Sequence, residues 1–404
     1  MPVSTLSVIA CIITCALVIF NSFAYRDFRH PAIIHSVIWA SILVLHTFIP
    51  HGLYPAGANI LSVIVLSLVC FSAGALLVSF MFQDKPVATS PKEKAHYDVP
   101  LFRRFYWVYL LGAGAMSPLV FLKAKSIAAH GTTDSFMLNL RLGLNNEAFG
   151  GSYGWMGYFS LVAIATLFLV ALDIGNSKGK KAFCFALPLA MFFVVMSTGR
   201  TYFFLVVITL LFIFSFIKPK QFGLKAFALG FSLILLFFFI IGMVMGKVGE
   251  GASGALSSLY VYLLGGISAF DVVLSQNFDL QYGTNTLRTF YAVLAKLGFE
   301  FSAVKLVKEY VYIPHATNVY TVFYPYYLDF GLMYIFTSQF VFGVFHTVLY
   351  KGAIQGGYGY ILAYSISVYA LFIQWFQDQY LSLLTSWLIV FALLAIPLIF
   401  SKRT

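Results

Sequence analysis

Charged side chains are scarce in this sequence, since Asp, Glu, Lys and Arg make up only 10% of its 404 residues. Soluble domains carry about 25% charged residues, which excludes a soluble fold of ordinary composition. Apolar runs of about 20 residues recur along the whole chain, and a run of that length crosses a bilayer as a helix. The alternating strands of about ten residues that build transmembrane barrels are lacking. The sequence therefore predicts an all-α polytopic membrane protein.

Several kinds of reactive site are also missing. The four cysteines all lie inside apolar runs, so neither a disulfide nor a thiolate metal site is expected. The sequence has no P-loop, no G-x-G-x-x-G after a strand, no H-E-x-x-H and no G-x-S-x-G motif, which disfavours nucleotide-driven transport and the hydrolases of soluble folds. The predicted external segments also lack an acidic D-x-D pair. We therefore predict no metal and no cofactor.

The net charge of +11 does not indicate nucleic-acid binding, because the basic residues lie in short loops between apolar runs, where they determine topology. Sixteen of the 25 Lys and Arg residues lie in alternate loops and the adjacent helix ends, on one side of the membrane. The positive-inside rule assigns that side to the cytoplasm. The N-terminus is then periplasmic and the C-terminus cytoplasmic.

The apolar runs predict eleven membrane spans within one integral membrane domain, residues 1–404: 3–23, 31–49, 57–81, 104–126, 154–173, 182–197, 201–218, 223–246, 327–349, 358–376 and 382–401. Two external segments are long, 127–153 and 247–326, and loops of this length are uncommon unless they are functional. In the second, residues 256–274 are apolar and glycine-broken, and residues 284–299 have an amphipathic pattern. Both are expected to lie on the outer face or to re-enter it.

Arg200 stands in the only polar break, STGRT, of the apolar stretch 192–207. The predicted topology places it at an external helix turn, where positive residues are depleted. A snorkelling arginine at a helix end is one interpretation. The small donors around it, including Thr198, and the positive N-terminal end of the next helix also suit an oxyanion such as phosphate. Arg200 is therefore a candidate catalytic residue, and Thr198 a candidate substrate-binding residue.

Three charged residues of the long external segments are further candidates. Asp271 lies in the apolar stretch GGISAFDVVL, where an acid is either a buried hydrogen-bonded group or a functional one. Arg288, in YGTNTLRTF, is either a second cation for an anionic group or a solvated arginine. Arg141, in LNLRLGLNNEAFGG, either helps to hold an anion or lies on the surface.

Aromatic and polar residues crowd the segment 313–331, IPHATNVYTVFYPYYLDFG, which leads into the ninth predicted span. Most of its tyrosines suit the aromatic belt of a membrane interface. Because aromatic faces combined with amide and carboxylate groups also suit a sugar-binding surface, substrate contacts are predicted for Asn318, Tyr320, Tyr324 and Asp329. Histidine is well suited to general-base catalysis near neutral pH, so His315 is a candidate base, with a structural role as the alternative.

These stretches resemble bacterial oligosaccharide repeat-unit polymerases of the O-antigen polymerase (Wzy) type. The resemblance rests on STGRT at an external helix turn, GGISAFD in a large external segment, and TNVYTVFYPYYLDFG before a late span. The layout of eleven spans with one long external loop resembles the same family over the whole chain.

The resemblance implies glycosyl transfer at the outer face of the bacterial inner membrane. Polymerases of this type pass a growing glycan from undecaprenyl pyrophosphate to the non-reducing-end hydroxyl of a lipid-linked repeat unit, without a metal or nucleotide. The implied partners are the lipid-linked oligosaccharide, the bilayer and a chain-length regulator protein. Arg200 and Arg288 would stabilise charge on the leaving pyrophosphate, and His315 or Asp271 would accept the proton of the acceptor.

Two other functions stay open from the sequence. An O-antigen ligase uses the same donor with a lipid A-core acceptor, and the sequence does not identify the acceptor. A flippase for lipid-linked oligosaccharides would place charged residues near the membrane midplane, commonly in repeated halves. Here the ionisable candidates lie in external segments and no internal repeat is found, which favours the polymerase.

Overall fold

The computed structural model describes residues 4–82, 99–145, 151–223, 225–230, 232, 236, 240, 251–276, 278–301, 304 and 308–401. The described helices are α1 (Thr5–Tyr25), α2 (Pro31–Phe48), α3 (Ala58–Met81), α4 (Val99–Ala128), α5 (Phe136–Asn145), α6 (Tyr158–Leu172), α7 (Ser177–Met196), α8 (Arg200–Ile217), α9 (Gly251–Leu274), α10 (Arg288–Lys296), α11 (Phe323–Phe330), α12 (Leu332–Ile354), α13 (Tyr358–Phe372) and α14 (Leu384–Phe400). Short 3-10 turns precede α6 and α14, at Gly154–Gly157 and Leu381–Leu383. A two-residue antiparallel ladder joins β1 (Val311–Tyr312) to β2 (Ala316–Thr317).

Ten helices among the described residues are long and apolar enough to cross a membrane. They are α1 to α4, α6 to α9, α12 and α14, with α6 and α14 counted together with their preceding turns. Prolines inside α4, α7 and α14 do not end these helices, and such prolines are tolerated in membrane helices because neighbouring groups satisfy the freed backbone atoms. The prediction of an all-α polytopic membrane protein is confirmed.

Helices α13 and α9 differ from the predicted spans, and one predicted span lies mostly outside the described residues. Helix α13 has only 15 residues and ends at Phe372, four residues before the predicted end of its span. The predicted span 223–246 lies mostly outside the described residues, although residues 225–230 are helical. Helix α9 lies inside the predicted external segment 247–326, and its portion Leu256–Leu274 is long and apolar enough to cross a membrane.

The glycines at the centre of α9 do not break this helix, contrary to the interpretation from sequence. A Cβ on Gly266 would lie 2.5 Å from the carbonyl oxygen of Trp375, and a Cβ on Gly265 would lie 3.0 Å from Ile313. The pair therefore permits close packing inside a continuous helix. Because α9 can cross the membrane, the count of eleven spans and the orientation of the termini stay predictions. Five basic residues used for that orientation lie outside the described residues, namely Lys85, Lys92, Lys94, Lys402 and Arg403.

The chain forms two compact units, each assembled from separate segments. Unit 1 comprises Met1–Val87, Gly249–Lys351 and Ser367–Thr385, and unit 2 comprises Ala88–Val248, Gly352–Ile366 and Ser386–Thr404. Neither unit is one continuous stretch of sequence, and the single domain over residues 1–404 stays a prediction.

In unit 1, glycines bring α3 and α12 into close contact. A Cβ on Gly74 would lie 2.2 Å from the carbonyl oxygen of Phe340, and a Cβ on Gly343 would lie 2.1 Å from that of Phe71. Small residues at such crossings are typical of helix packing in membranes, where van der Waals contact replaces the hydrophobic effect. Helix α1 packs on α2 and α3, and α9 packs on the same two helices.

In unit 2, α6 is the central helix. Its residues from Leu161 to Leu172 are almost all buried, and α4, α7 and α8 pack around it. Helix α5 packs on α4, and one hydrophobic cluster contains Leu140 of α5 together with Phe193 and Met196 of α7. The amphipathic helix α5 is therefore fixed at the end of α7 from which the candidate residue Arg200 follows.

Candidate functional site

The turn between α7 and α8 in unit 2, residues 197–201, is called the Arg200 turn. Its backbone closes the end of α7, since the N–H of Thr198 donates to the carbonyl of Val195 at 3.0 Å and the hydroxyl of Ser197 donates to that of Val194 at 2.7 Å. Arg200 is the first residue of α8, as the polar break in the sequence predicts, and it is only 7% exposed. The structure therefore buries a guanidinium at the start of an apolar helix.

Two backbone features of the Arg200 turn favour an anion. The N-cap Gly199 gives α8 no side-chain cap, so the first N–H groups of this helix have no intrahelical acceptor and carry its positive end. Thr198 has a φ of 52°, and the left-handed region costs a side chain that is branched at Cβ about 1–2 kcal/mol. Strain of this kind is commonly retained at functional sites.

Arg141 lies on α5, in unit 2 like the Arg200 turn. The side chain is half-buried. The preceding residue, Leu140, and Met196, which precedes the turn, belong to one hydrophobic cluster. The packing thus places Arg141 and Arg200 in neighbouring parts of the same unit.

In unit 1, Asp329 near the end of α11 is fully buried and anchors the segment before α10. Its Oδ1 accepts from the backbone N–H of Asn285 at 3.1 Å and from the side-chain amide of Asn285 at 2.9 Å. Its Oδ2 accepts from the N–H and the hydroxyl of Thr286, each at 2.7 Å. These bonds use both carboxylate oxygens inside the protein, and the substrate contact predicted for Asp329 stays a prediction.

Asn285 connects this carboxylate to a lysine that the sequence analysis did not select. The ammonium of Lys308 donates to Oδ1 of Asn285 at 2.9 Å and lies 5.5 Å from the ring centroid of Tyr324. Tyr324 stacks on Tyr320 with ring centroids 4.1 Å apart. We call the set Asn285, Arg288, Lys308, Tyr324 and Asp329 the Lys308 cluster.

Burial lowers the pKa of Lys308 from its ordinary value, the attraction of Asp329 and Asp378 opposes this, and repulsion from Arg288 adds to it. The lowering means that desolvation outweighs the nearby carboxylates. The pKa of the neighbouring Tyr320 shifts in the opposite direction. Burial raises this pKa to about 12, and Tyr324 and Glu309 add to the increase. The phenol of Tyr320 is consequently neutral over the physiological range, and its hydroxyl donates to the carbonyl of Glu309 at 2.9 Å.

Arg288, a member of the Lys308 cluster and the first residue of α10, is half-buried and donates from Nε to the carbonyl of Val304 at 2.6 Å. Two further candidates of unit 1, Asn318 and His315, lie outside the cluster. Asn318, between β2 and the tyrosine pair, is half-buried. His315 is exposed in the turn between β1 and β2, and its Nε2 lies 3.1 Å from the hydroxyl of Ser257.

Asp271 occupies a different place from His315. Its Oδ2 accepts from the N–H of Gly57 at 2.9 Å, so this carboxylate caps the start of α3. A Cβ on Gly57 would lie 2.7 Å from the same oxygen, so glycine permits the approach. Ser257, the partner of His315, lies 14 residues before Asp271 on α9, or about 21 Å along the helix. The two predicted bases therefore do not belong to one catalytic pair.

The structure thus groups the predicted residues by unit. Unit 2 holds Arg141, Thr198 and Arg200, while unit 1 holds the Lys308 cluster with Tyr320 and Asn318 near it along the chain. Lys308 was missed, although it is a cation in a segment where cations are scarce, which is the same signal that selected Arg288. Among the described residues, no group of three or more His, Cys, Asp or Glu side chains is arranged to hold a metal ion.

Comparison with known proteins gives one significant similarity that spans most of the chain. The "Putative O-antigen polymerase" of Escherichia coli strain K12 is 22% identical over 383 residues, which cover 90% of this chain and 90% of that protein. No family model matches the sequence. No solved structure gives a significant match. The similarity supports a polysaccharide-related function of this membrane protein.

Proposed function

We propose that this chain polymerises oligosaccharide repeat units linked to undecaprenyl pyrophosphate, at the outer face of the bacterial inner membrane. Similarity to the Escherichia coli protein along 90% of the chain supports the proposal, as does the set of long apolar helices. The growing glycan is the donor, and an incoming lipid-linked repeat unit is the acceptor. A chain-length regulator protein is the expected protein partner.

The observation that carries the proposal is the buried guanidinium of Arg200 at the uncapped start of α8. A pyrophosphate leaving group gains negative charge as its bond to the sugar breaks. Preorganised donors aimed at such developing charge are a main source of catalysis in sites that exclude water. The guanidinium fork and the first N–H groups of α8 supply such donors in one turn.

In the proposed step, the acceptor hydroxyl oxygen bonds to the anomeric carbon of the donor sugar while the bond from that carbon to the pyrophosphate oxygen breaks. Undecaprenyl pyrophosphate leaves with the bonding electron pair, and the hydroxyl proton passes to a base. We assign the base to His315, because its ring is exposed while the carboxylate of Asp271 caps α3. Arg141, in the same unit as Arg200, is a further cation available to the anionic donor.

The test is to express Arg200→Ala and Arg200→Lys in a strain that lacks its own polymerase. Surface polysaccharide is resolved on a gel, and the amount of protein in the membrane is measured by blot. Arg104→Ala is the matched control, because Arg104 is an exposed arginine of the same unit. We expect both Arg200 variants to insert normally and to leave single repeat units, since the point charge of lysine does not reproduce the guanidinium fork.

Two results would overturn this assignment. A full polysaccharide ladder from Arg200→Ala would make Arg200 an interfacial anchor. If the wild-type chain restores no ladder but attaches preformed polysaccharide to lipid A-core, the activity is that of a ligase and the polymerase proposal is rejected.

A further inference from the structure

We propose that Lys308 and Arg288 form a diphosphate-binding subsite in unit 1, in which the Lys308 ammonium contacts the pyrophosphate of a lipid-linked substrate. This inference rests on the proposed function, in which the donor and the acceptor each carry an isoprenoid pyrophosphate. It concerns a lysine that neither the sequence motifs nor the similarity to the Escherichia coli protein identifies. The ligand class is an isoprenoid pyrophosphate.

The position of the Lys308 ammonium is fixed before any ligand binds. Asp329 accepts from the side-chain amide of Asn285, and Oδ1 of the same amide accepts from Lys308. This chain of carboxylate, amide and ammonium orients the lysine through a neutral group. A second restraint is the ring of Tyr324, 5.5 Å from the ammonium, which is within the range of a cation–π contact.

Among the described residues Lys308 forms no salt bridge, and the two salt bridges found there involve Arg29 and Arg103. Asp329 and Asp378 attract its charge without forming an ion pair with it. Both carboxylates that attract Lys308 are occupied by other donors. Those of Asp329 are described above, and Asp378 accepts from the hydroxyl of Tyr326 and from two backbone N–H groups.

Arg288 provides the second positive charge. Its repulsion contributes to the lowered pKa of Lys308, so the two cations act on each other. Its Nε is held by the carbonyl of Val304, again an uncharged oxygen. Two cations that repel each other and are oriented by neutral groups gain most from an anion with two charged phosphates, because that ligand relieves the repulsion and forms charge-assisted hydrogen bonds.

The experiment measures binding to the full-length protein in detergent. The probes are geranylgeranyl pyrophosphate, geranylgeranyl monophosphate, the uncharged alcohol geranylgeraniol and inorganic pyrophosphate. The variants are Lys308→Met, which keeps the length of the side chain without its charge, and Lys308→Arg. Lys296→Met is the matched control, because Lys296 is an exposed lysine of the same predicted external segment, at the end of α10.

We expect Lys308→Met to weaken binding of the pyrophosphate lipid about tenfold, as for the loss of one hydrogen bond to a charged group. Binding of the alcohol should not change, and Lys308→Arg and Lys296→Met should bind like the wild type. A larger effect on the lipid than on inorganic pyrophosphate identifies the lipid-linked form as the ligand, whereas equal effects on both would overturn that assignment in favour of free pyrophosphate.

The inference fails if folded Lys308→Met, checked by its thermal unfolding, binds the pyrophosphate lipid as the wild type does. It also fails if the variant loses affinity for the alcohol to the same degree, since Lys308 would then only support the apolar part of the site. A wild-type protein that does not distinguish pyrophosphate from alcohol would instead overturn the proposed donor, which separates failure of the proposed function from failure of this subsite.

Discussion

Cations in two regions of the molecule are held in different ways. At the predicted cytoplasmic helix ends, arginines pair with carboxylates: Arg29 with Asp27 at 2.8 Å in unit 1, and Arg103 with Asp173 at 2.7 Å in unit 2. A tyrosine hydroxyl adds to each pair, Tyr350 on Asp27 and Tyr106 on Asp173. In the Lys308 cluster, by contrast, the cations are held by an amide, a carbonyl and an aromatic ring.

The difference indicates two tasks for positive charge. An arginine in an ion pair has its charge compensated by the protein itself, so it contributes to folding and to the geometry of a loop. A cation oriented by neutral groups keeps its charge for another partner, at the cost of desolvation. The carboxylate of Asp329 shows how this is arranged. It orients Lys308 through Asn285, while its own oxygens accept hydrogen bonds from backbone and side-chain donors.

The contrast between the two regions would not hold if Asp329 bound the substrate instead of anchoring the segment before α10. Substitution of Asp329 tests this and has the largest expected effect. Asp329→Ala leaves the N–H groups of Asn285 and Thr286 buried without their acceptor, and each such group costs about 1–3 kcal/mol. We expect a clear fall in the free energy of unfolding together with loss of pyrophosphate-lipid binding. Thermal unfolding in detergent and the binding assay measure the two effects.

Asp279→Ala is the control for that substitution, because Asp279 is an exposed acid of the same segment. It should change neither stability nor binding. If Asp329→Ala kept wild-type stability and lost only binding, the carboxylate would act on the substrate, and the distinction between the two regions would no longer hold.

The two ion pairs provide a second test of the contrast between the regions. Asp173 is only 7% exposed, while both members of the Arg29 and Asp27 pair are about one fifth exposed. Asp173→Asn should therefore lower the free energy of unfolding by about 1–3 kcal/mol, and Asp27→Asn by about 0–1 kcal/mol. Chemical denaturation of the purified protein measures both values.

Neither substitution should shorten the polysaccharide ladder once protein amounts are matched, because these carboxylates neutralise arginines that have a folding role. A shortened ladder from Asp173→Asn at normal protein level and stability would give the paired region a part in function, and the assignment of tasks would have to be revised.

Features that depend on local signals could be predicted from the sequence, whereas features that depend on long-range contacts could not. Long apolar runs fix most helices, and a single polar break was enough to place Arg200 at the start of α8, because both signals are local. Helix α9 was misjudged because glycines that permit close packing in the fold look like breaks in a sequence. Lys308 depends on Asn285, and Asn285 depends on Asp329, which is 44 residues away. Contacts at such distances leave no periodic trace in one sequence.

The smallest effect that we expect is a pH dependence that separates Lys308 from an ordinary lysine. Burial lowers its pKa from 10.5, Asp329 and Asp378 partly restore it, and Arg288 lowers it further. The free protein therefore loses this proton at a lower pH than an exposed lysine does. Since Lys308 attracts the anion only in its protonated form, the Kd for geranylgeranyl pyrophosphate should rise a few-fold as the pH increases from neutral into the alkaline range.

Lys308→Arg identifies the titrating group, because arginine stays protonated throughout this range and its Kd should remain flat. Two neighbouring phenols do not produce the same change of Kd with pH. Burial is the main cause that raises the pKa of both Tyr320 and Tyr324, so both are neutral where lysine titrates. Measuring the Kd of both proteins across the same pH series decides the matter. An equal alkaline weakening in wild type and Lys308→Arg would mean that another group titrates, and that Lys308 keeps its charge as securely as the paired arginines do.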